Sequence, residues 1–413
     1  MRSLAAYLSA QEAADELGIS LPTLYSYVSR GLIRSETANE ARRTRRYSRE
    51  DVEHLKSRKL QRRDPVKTVE EALHWGAPVM ESAITLISDG HLFYRGCDAL
   101  ELARTHPVEA VAALIWTGDL SSDLPLLRQP ASLSARLATV LTHVTDLPPL
   151  EQFQLLLPLA AVEDMAAYDL RPTAVVQTGA KILQLLVTIA AGGRTQPGRM
   201  AERLQQHWIP DDLQATDLLS AALILCADHE LNVSSFTARC VASAGATPYQ
   251  AVTGGLAALQ GVKHGRSTER VDALLQEVAV PDRAREVIGG RLKRGEAGLG
   301  WGLPGFGHQL YPGGDPRGRL LFSLVESTYP SAPGLELALA VASQAESLLG
   351  EFPNIDFGLV VLARALNLPA GAPITLFALG RTIGWIGHVI EQYAADRIIR
   401  PRARYVGDTP VKR

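Results

Sequence analysis

From Gly96 onward this 413-residue chain is written almost entirely as helical segments, about 10 to 20 residues long, cut by proline and glycine and never alternating with strands. Residues 335–349 illustrate the pattern. Leu335, Leu339, Ala342, Ala345 and Leu349 recur at helical spacing, and Gly350 follows where a left-handed residue can end the helix. Helices of this kind can hide their apolar stripes only against one another, so the chain is constrained to a large, mainly α, multi-helix body. A hydrophobic fraction of 46% with 21% charged residues supplies a core and excludes disorder as the main theme. The longest apolar runs, 155–162 with Pro158 inside and 185–191 with a threonine inside, fall short of the roughly 18 residues that span a bilayer, so no membrane partner is expected. Three cysteines without CxxC spacing exclude a disulfide scaffold. With no signal-peptide core before Glu12, they make the cytoplasm the expected location.

The opening segment reads differently. Ser9-Ala10-Gln11-Glu12 is a capping box for a helix ending at Leu17, with Gly18 as its left-handed stop. Ser20 is expected to cap a second helix over residues 21–30, stopped by Gly31. Residues 36–47 read as a short, arginine-rich strand pair, and Ser48-Arg49-Glu50-Asp51 opens a third helix carrying Val52, Leu55 and Leu60. Charge follows the same division. The formal net charge of −2 resolves into +4 for residues 1–65, +4 for residues 381–413 and −10 between them. The expected organisation is a small domain over 1–65, a linker over 66–80 and a body over 81–413, opened by a hairpin at Ser88-Asp89-Gly90.

Within the body, polar groups gather in four places: Asp228-His229-Glu230-Leu231-Asn232, Lys263-His264-Gly265, Gly305-Phe306-Gly307-His308 with Asp315-Pro316-Arg317, and Asn354-Ile355-Asp356-Phe357. Arg381 and the arginines at 397, 400, 402 and 404 follow. Histidines and an aspartate can exchange protons near neutral pH, and guanidinium forks grip carboxylates, so the set fits a small polycarboxylate undergoing proton transfer. Each segment also has a plainer reading: Asp228 and His229 could cap a helix, and Asp356 could be an ordinary N-cap. The histidines lack HExxH spacing, and no metal site is expected.

Two resemblances organise these residues. Leu8 to Ala14, Gly18-Ile19-Ser20, Thr23-Leu24-Tyr25, Gly31-Leu32-Ile33 and Arg46 to Val52 resemble the winged helix-turn-helix of the mercury-resistance-regulator and excisionase type. That resemblance implies DNA as a partner, with Thr23, Tyr25, Ser26 and Arg30 facing the major groove and Arg42, Arg43, Arg45 and Arg46 reaching phosphates or a minor groove. The four body segments, in order, together with Tyr94-Arg95-Gly96, Ser234 to Arg239, Arg381 to Ile386 and Arg400 to Gly407, resemble citrate synthase and 2-methylcitrate synthase over roughly residues 80–407. The implied fold has a large and a small domain, the small one near 267–367. The implied reaction condenses acetyl-CoA, a substrate rather than a resident cofactor, with oxaloacetate, without a metal, in a homodimer.

The same resemblance implies the roles. Asp356 is the base toward the acetyl methyl group, His264 holds the thioester oxygen, and His308 polarises the oxaloacetate carbonyl and protonates the alkoxide. His229, Arg317, Arg381 and Arg400 hold the substrate carboxylates, Arg400 from the other subunit, and Leu303, Pro304, Gly305, Phe306 and Gly307 line the CoA site. The chain departs from the family pattern where Arg266-Ser267-Thr268 follows Gly265, and where Gln309 and Pro312 stand in place of an arginine and a lysine that help with CoA. Propionyl-CoA is the alternative acyl donor. A metabolite-sensing DNA-binding regulator with a citrate-synthase-like sensor body, or a head that only packs or sets oligomeric state, are the alternatives in kind.

Overall fold

The computed structural model describes residues 7–30, 32–39, 44–49, 51–52, 55, 80–122, 124–294, 302–332, 334–403 and 405–408, with the backbone alone for 37–39 and 44. The chain divides into two units, Met1–Glu81 and Ser82–Arg413. The linker expected over 66–80 lies, except for residue 80, outside the described residues.

In the first unit, helix Ala10–Leu17 starts at the expected capping box. The Glu12 amide donates to Ser9 Oγ at 3.3 Å, the Ser9 amide donates to Glu12 Oε2 at 2.8 Å, and Gly18 ends the helix at φ 56°. The second helix, Leu21–Ser29, forms where expected, but Ser20 does not cap it through its side chain; its hydroxyl pairs with Thr23 Oγ1 at 2.9 Å instead. A three-stranded antiparallel sheet in the order Tyr7–Leu8, Thr44–Ser48, Ser35–Asn39 completes the winged pattern, with Glu36 opposite Arg46 and Thr37 opposite Arg45. Asp51 anchors the segment before the sheet by accepting from the Arg34 amide at 2.7 Å and from Nε and Nη2 of Arg34 at 2.9 Å each. Leu8, Ala13, Ala14, Leu17, Leu24, Ile33, Tyr47 and Val52 make its core.

The second unit opens with a small antiparallel sheet, Thr85–Ser88, His91–Tyr94 and Cys97–Asp98. Its first turn places Asp89 and Gly90 both at positive φ, 51° and 79°, as the Asp-Gly signal requires. Among the described residues after Asp98, every regular element is a helix. Helix Ala372–Ala395 runs through the core and touches helices Val108–Thr117, Pro172–Ala190, Ala215–Leu225, Val233–Ser243 and Pro248–Leu259. Small residues make that approach possible. A Cβ at Gly380 would lie 2.4 Å from Leu223 O, one at Gly384 2.3 Å from Ala227 O, and one at Gly387 2.7 Å from an Ile115 methyl. The Gly384 amide donates to Ala227 O at 3.0 Å, and Trp116 Nε1 donates to Ile383 O at 2.8 Å.

Helices Pro172–Ala190 and Ala372–Ala395 are each long and apolar enough to cross a membrane by length and composition. A search for unbroken apolar runs misses them because Lys181 and Arg381 interrupt them. They serve as core helices here, with 78% and 94% of their apolar windows buried.

Helices Ser267–Val278, Ala284–Lys293, Pro316–Thr328, Leu335–Leu349 and Ile355–Ala365 pack on one another, over the stretch expected for the smaller subdomain. Pro316–Thr328 meets Ile355–Ala365 so closely that a Cβ at Gly318 would lie 2.3 Å from Asn354 O. That contact brings the Arg317 end of one helix to the Asp356 end of the other.

Candidate active site

Asp356 is not an N-cap. Asn354 takes that place, accepting from the amides of Asp356 at 3.0 Å and Phe357 at 3.4 Å, which sets Asp356 in the first turn of Ile355–Ala365. Likewise Asn232, not Asp228 or His229, caps Val233–Ser243. An amide oxygen two residues before the free amides reaches them where a residue inside the turn cannot. The site side chains are thereby released from capping.

The loop that carries His308 is stitched to the start of the Asp356 helix. The Gly307 amide donates to Phe352 O and the Asn354 amide to Gly305 O, both at 2.9 Å, and the Phe306 and Phe357 rings lie 4.8 Å apart. Gly305 has φ 84°, and a Cβ there would lie 2.8 Å from Val271 and 3.1 Å from Phe357. Leu303 and Phe306 are buried. The expected CoA segment, Leu303 to Gly307, therefore forms a tight turn packed against the start of the Asp356 helix.

His308 accepts the Leu310 amide at Nδ1, 3.2 Å away, so the neutral ring carries its proton on Nε2. Its ring is 5.0 Å from that of His229 and 5.0 Å from that of Tyr311, and the Tyr311 hydroxyl lies 3.1 Å from His229 Nε2. Burial, aided by the nearby Arg317 charge, pulls His308 down to about 4 and His229 well below the ordinary histidine range. His264 sits in the turn before Ser267–Val278, with Nε2 2.8 Å from Ser234 Oγ, and Trp385 Nε1 donates to that hydroxyl oxygen at 3.2 Å. Phe377 meets the His264 ring edge-on at 5.8 Å, and burial with Arg381 nearby lowers His264 to about 3. All three histidines are thus held neutral.

Two buried guanidiniums supply the charge. Arg317 is fixed by a bidentate pair with Asp315, Nε to Oδ1 at 3.0 Å and Nη2 to Oδ2 at 2.8 Å. Burial opposes its charge, but Asp315 overrides that and raises the Arg317 pKa. Asp315 Oδ2 also accepts the Ile355 amide at 3.1 Å, tying this pair to the Asp356 helix. Arg381, 1% exposed, donates Nε to Cys226 O at 2.8 Å, lies 4.8 Å from the Phe377 ring centroid and makes no ion pair among the described residues. Burial pulls its pKa down, with Asp228 opposing. Asp228 is itself buried against His388, Oδ1 to Nε2 at 3.1 Å, and accepts Thr85 Oγ1 at 2.5 Å.

Asp356 differs from Asp228 and Asp315, which their partners hold low. Burial raises it to about 6, against a hydrogen bond from Ser267 and the charges of Arg317 and Arg381. The arrangement is a near-neutral base, three neutral imidazoles and two cations around one region, and it can take a proton from carbon while holding carboxylates.

The structure therefore brings together His229, His264, His308, Arg317, Asp356 and Arg381. It does not bring in Arg400, which is exposed just beyond Ile399, where the tail is tied down by the Ile399 amide donating to Ser243 Oγ at 3.1 Å. Arg266, which might have replaced a missing CoA contact, is engaged with Glu151 at 3.4 Å and Glu269 at 3.7 Å. Tyr311 is a site neighbour that motif reading passed over, and Ser234 and Ser267 lie in segments that it named without giving them a site role. In the first unit, Tyr25, Arg30, Arg45 and Arg46 are exposed and Thr23 and Ser26 half-buried, while Arg42 and Arg43 lie outside the described residues. Among the described residues no group of three His, Cys, Asp or Glu side chains is placed to hold a metal ion.

Fold and site together define an acid–base enzyme with cationic recognition, built in a mainly α body and joined to a helix-turn-helix unit. Residues 72–402 match the family model described as citrate synthase, C-terminal domain, and residues 7–59 match that described as a helix-turn-helix domain. The chain belongs to the citrate synthase family. It is 30% identical over 341 residues to a 2-methylcitrate synthase of Mycobacterium tuberculosis, covering 76% of this chain and 84% of that one. It is 27% identical over 359 residues to citrate synthase 2 of Bacillus subtilis, covering 80% and 94%. The crystal structure of citrate synthase from Thermotoga maritima superposes with a TM-score of 0.71 at 26% identity, covering 82% of this chain and 96% of that one.

The raised Asp356 value has a consequence for stability. An acid whose folded pKa lies above its unfolded one stabilises the fold only while protonated, and that contribution is lost as pH rises through about 6. Asp356→Asn is therefore expected to raise stability at pH 8 by about 1–3 kcal/mol, with the gain vanishing toward pH 4. Thermal melts of the two proteins across that range measure it.

Proposed function

We propose that the body condenses acetyl-CoA with oxaloacetate and hydrolyses the product thioester, giving citrate and free CoA. The observation that carries this reading is a carboxylate raised to about 6 beside histidines held neutral and two buried arginines. An acetyl methyl group is a very weak acid, so its proton can be removed only if the developing charge is caught as it forms. The Asp356 carboxylate takes that proton while a ring N–H of His264 donates to the thioester oxygen. The new carbon nucleophile adds to the oxaloacetate ketone, and His308 gives its Nε2 proton to the resulting alkoxide. Water then cleaves the thioester, releasing CoA as the thiol. Arg317, Arg381 and His229 hold the oxaloacetate carboxylates, and closure of the 267–367 stretch excludes water before condensation.

Propionyl-CoA is the second candidate donor, since relatives of both kinds are about equally similar and one methylene is worth only about 1–3 kcal/mol of discrimination. Thiol release from acetyl-CoA and from propionyl-CoA, with and without oxaloacetate, decides between them. Release that requires oxaloacetate and falls about 10²–10⁴-fold in Asp356→Asn is expected; release that ignores either condition overturns the reading.

Arg400 is proposed to complete the site of a second copy in a homodimer. Its exposure on the tail, away from its own chain's arginine pair, favours this. Mixing inactive Asp356→Asn with inactive Arg400→Ala protein through a dissociation and reassociation cycle should restore about a quarter of full activity, because half the dimers then hold one intact site. No recovery means that Arg400 acts within its own chain.

A second role, DNA binding, is proposed for the first unit, supported by the exposure of Tyr25 and Arg30 on and beside helix Leu21–Ser29 and of Arg45 and Arg46 on strand Thr44–Ser48. Contacts to phosphates make affinity fall with salt. Replacing Arg45 and Arg46 by alanine should reduce the slope of log affinity against log salt by about 2 on duplex DNA. An unchanged slope would remove them from the interface.

A further inference from the structure

Three successive residues before His229 are fastened along one stripe of helix Ala372–Ala395. Arg381 Nε donates to Cys226 O at 2.8 Å, the Gly384 amide donates to Ala227 O at 3.0 Å, and His388 Nε2 lies 3.1 Å from Asp228 Oδ1. Positions 381, 384 and 388 share a helix face. A Cβ at Gly384 would lie 2.6 Å from Asp228 Oδ1, so the segment sits flush against the helix. The direction of the third contact is set by Arg239. Its Nη1 lies 3.5 Å from His388 Nδ1, and a guanidinium can only donate, so Nδ1 accepts and the neutral ring carries its proton on Nε2, facing Asp228. Arg239 is itself held by Glu391 Oε2 at 3.2 Å and Gln392 Oε1 at 3.1 Å. His388 and Asp228 are both fully buried, and the proton transfers proposed above use neither.

We propose that His388 is a positioning residue for oxaloacetate: by donating from Nε2 to Asp228 Oδ1 it holds the segment that presents His229 in register with Arg381, so that both meet the carboxylates of one substrate. The first two contacts fasten the segment through backbone carbonyls and leave the residue next to His229 free to turn. The third closes that freedom, because it grips the side chain immediately before His229. Thr85 Oγ1 donates to the other oxygen of Asp228 at 2.5 Å, so the carboxylate is held at both ends. Such second contacts decide whether recognition groups stand where the substrate needs them, and a misplacement of about 1 Å can cost on the order of 100-fold. The inference rests on the reading of His229 and Arg381 as carboxylate holders only for its effect on substrate; the contacts themselves belong to the unliganded protein.

The test separates the two ring nitrogens. In His388→Gln the side-chain amide nitrogen falls near the place of Nε2 and can still donate to Asp228, whereas in His388→Asn it falls near the place of Nδ1 and cannot. The full-length chain is labelled with ¹⁵N at histidine, the His229 ring signals being assigned as those missing from His229→Gln. They are expected to move in His388→Asn and to stay near the parent positions in His388→Gln. In thiol release, His388→Asn should raise KM for oxaloacetate about ten- to a hundredfold while KM for acetyl-CoA stays within about twofold, and His388→Gln should restore the oxaloacetate value. His229 signals unmoved in His388→Asn overturn the proposal. So do equal changes in both variants, which would trace the effect to packing, and moved signals with an unchanged KM for oxaloacetate. The expected signals in a parent protein that releases no thiol would uphold the register and overturn the condensation reading instead.

Discussion

The buried pair between Arg317 and Asp315 is the contact on which the rest of the site depends. Its two oxygens serve three partners: the guanidinium, the Arg317 amide and the amide of Ile355. One carboxylate therefore caps the helix that presents Arg317 and holds the start of the helix that presents Asp356. Removing one member of such a pair leaves an uncompensated buried charge, which costs about 3–5 kcal/mol, so the pair fixes geometry more firmly than any surface ion pair in the molecule could. The Gly318 approach to Asn354 makes this possible, since any side chain there would drive the two helix ends apart.

Burial and charge then divide the titratable groups into two kinds. Asp315 and Asp228 are as deeply buried as any group in the body, yet both stay below the ordinary carboxylate range because Arg317 and His388 sit against them. Asp356 lacks such a direct partner, and burial wins, raising its carboxyl to about 6. The histidines lose their protons for the complementary reason: burial is the largest cause at each, and Arg317 or Arg381 adds a like charge. The same two arginines that suit the site to carboxylates thus keep its imidazoles neutral, which is the state in which a ring N–H can donate to a forming oxyanion.

Much of this was legible in the sequence because it is local. The capping box at Ser9, the Asp89-Gly90 turn and the Leu335–Leu349 helix follow from residues within a few positions of one another, and each formed as the spacing predicts. The site residues themselves stood out as clusters of polar groups in apolar text. What was not legible is what depends on distance along the chain. His388 meets Asp228 across 160 positions, and Tyr94 reaches the Ile224 carbonyl across 130, so neither partner could be paired from spacing. Tyr311 reads as one more aromatic until the loop folds its hydroxyl onto His229. Local reading left the matter open where two candidates competed for one role, as when Asn354 took the cap that Asp356 could have filled.

The basic C-terminal block shows why a charge count is not yet a site. Residues 381–413 carry +4, but their arginines meet opposite fates. Arg381 is enclosed by a helix whose glycines let the Ala215–Leu225 helix and the Ala227-Asp228 turn approach within contact of its backbone, and the carbonyl of Cys226 orients it. Arg400 lies beyond the point where Gln392 and Ser243 pin the tail at Arg397 and Ile399, and stays exposed. A guanidinium in the first setting recognises an anion with little competition from water, whereas one in the second is screened until another surface covers it. The same residue type, about twenty positions apart, therefore sits in opposite electrostatic settings, decided by the neighbours that do or do not remove water from it.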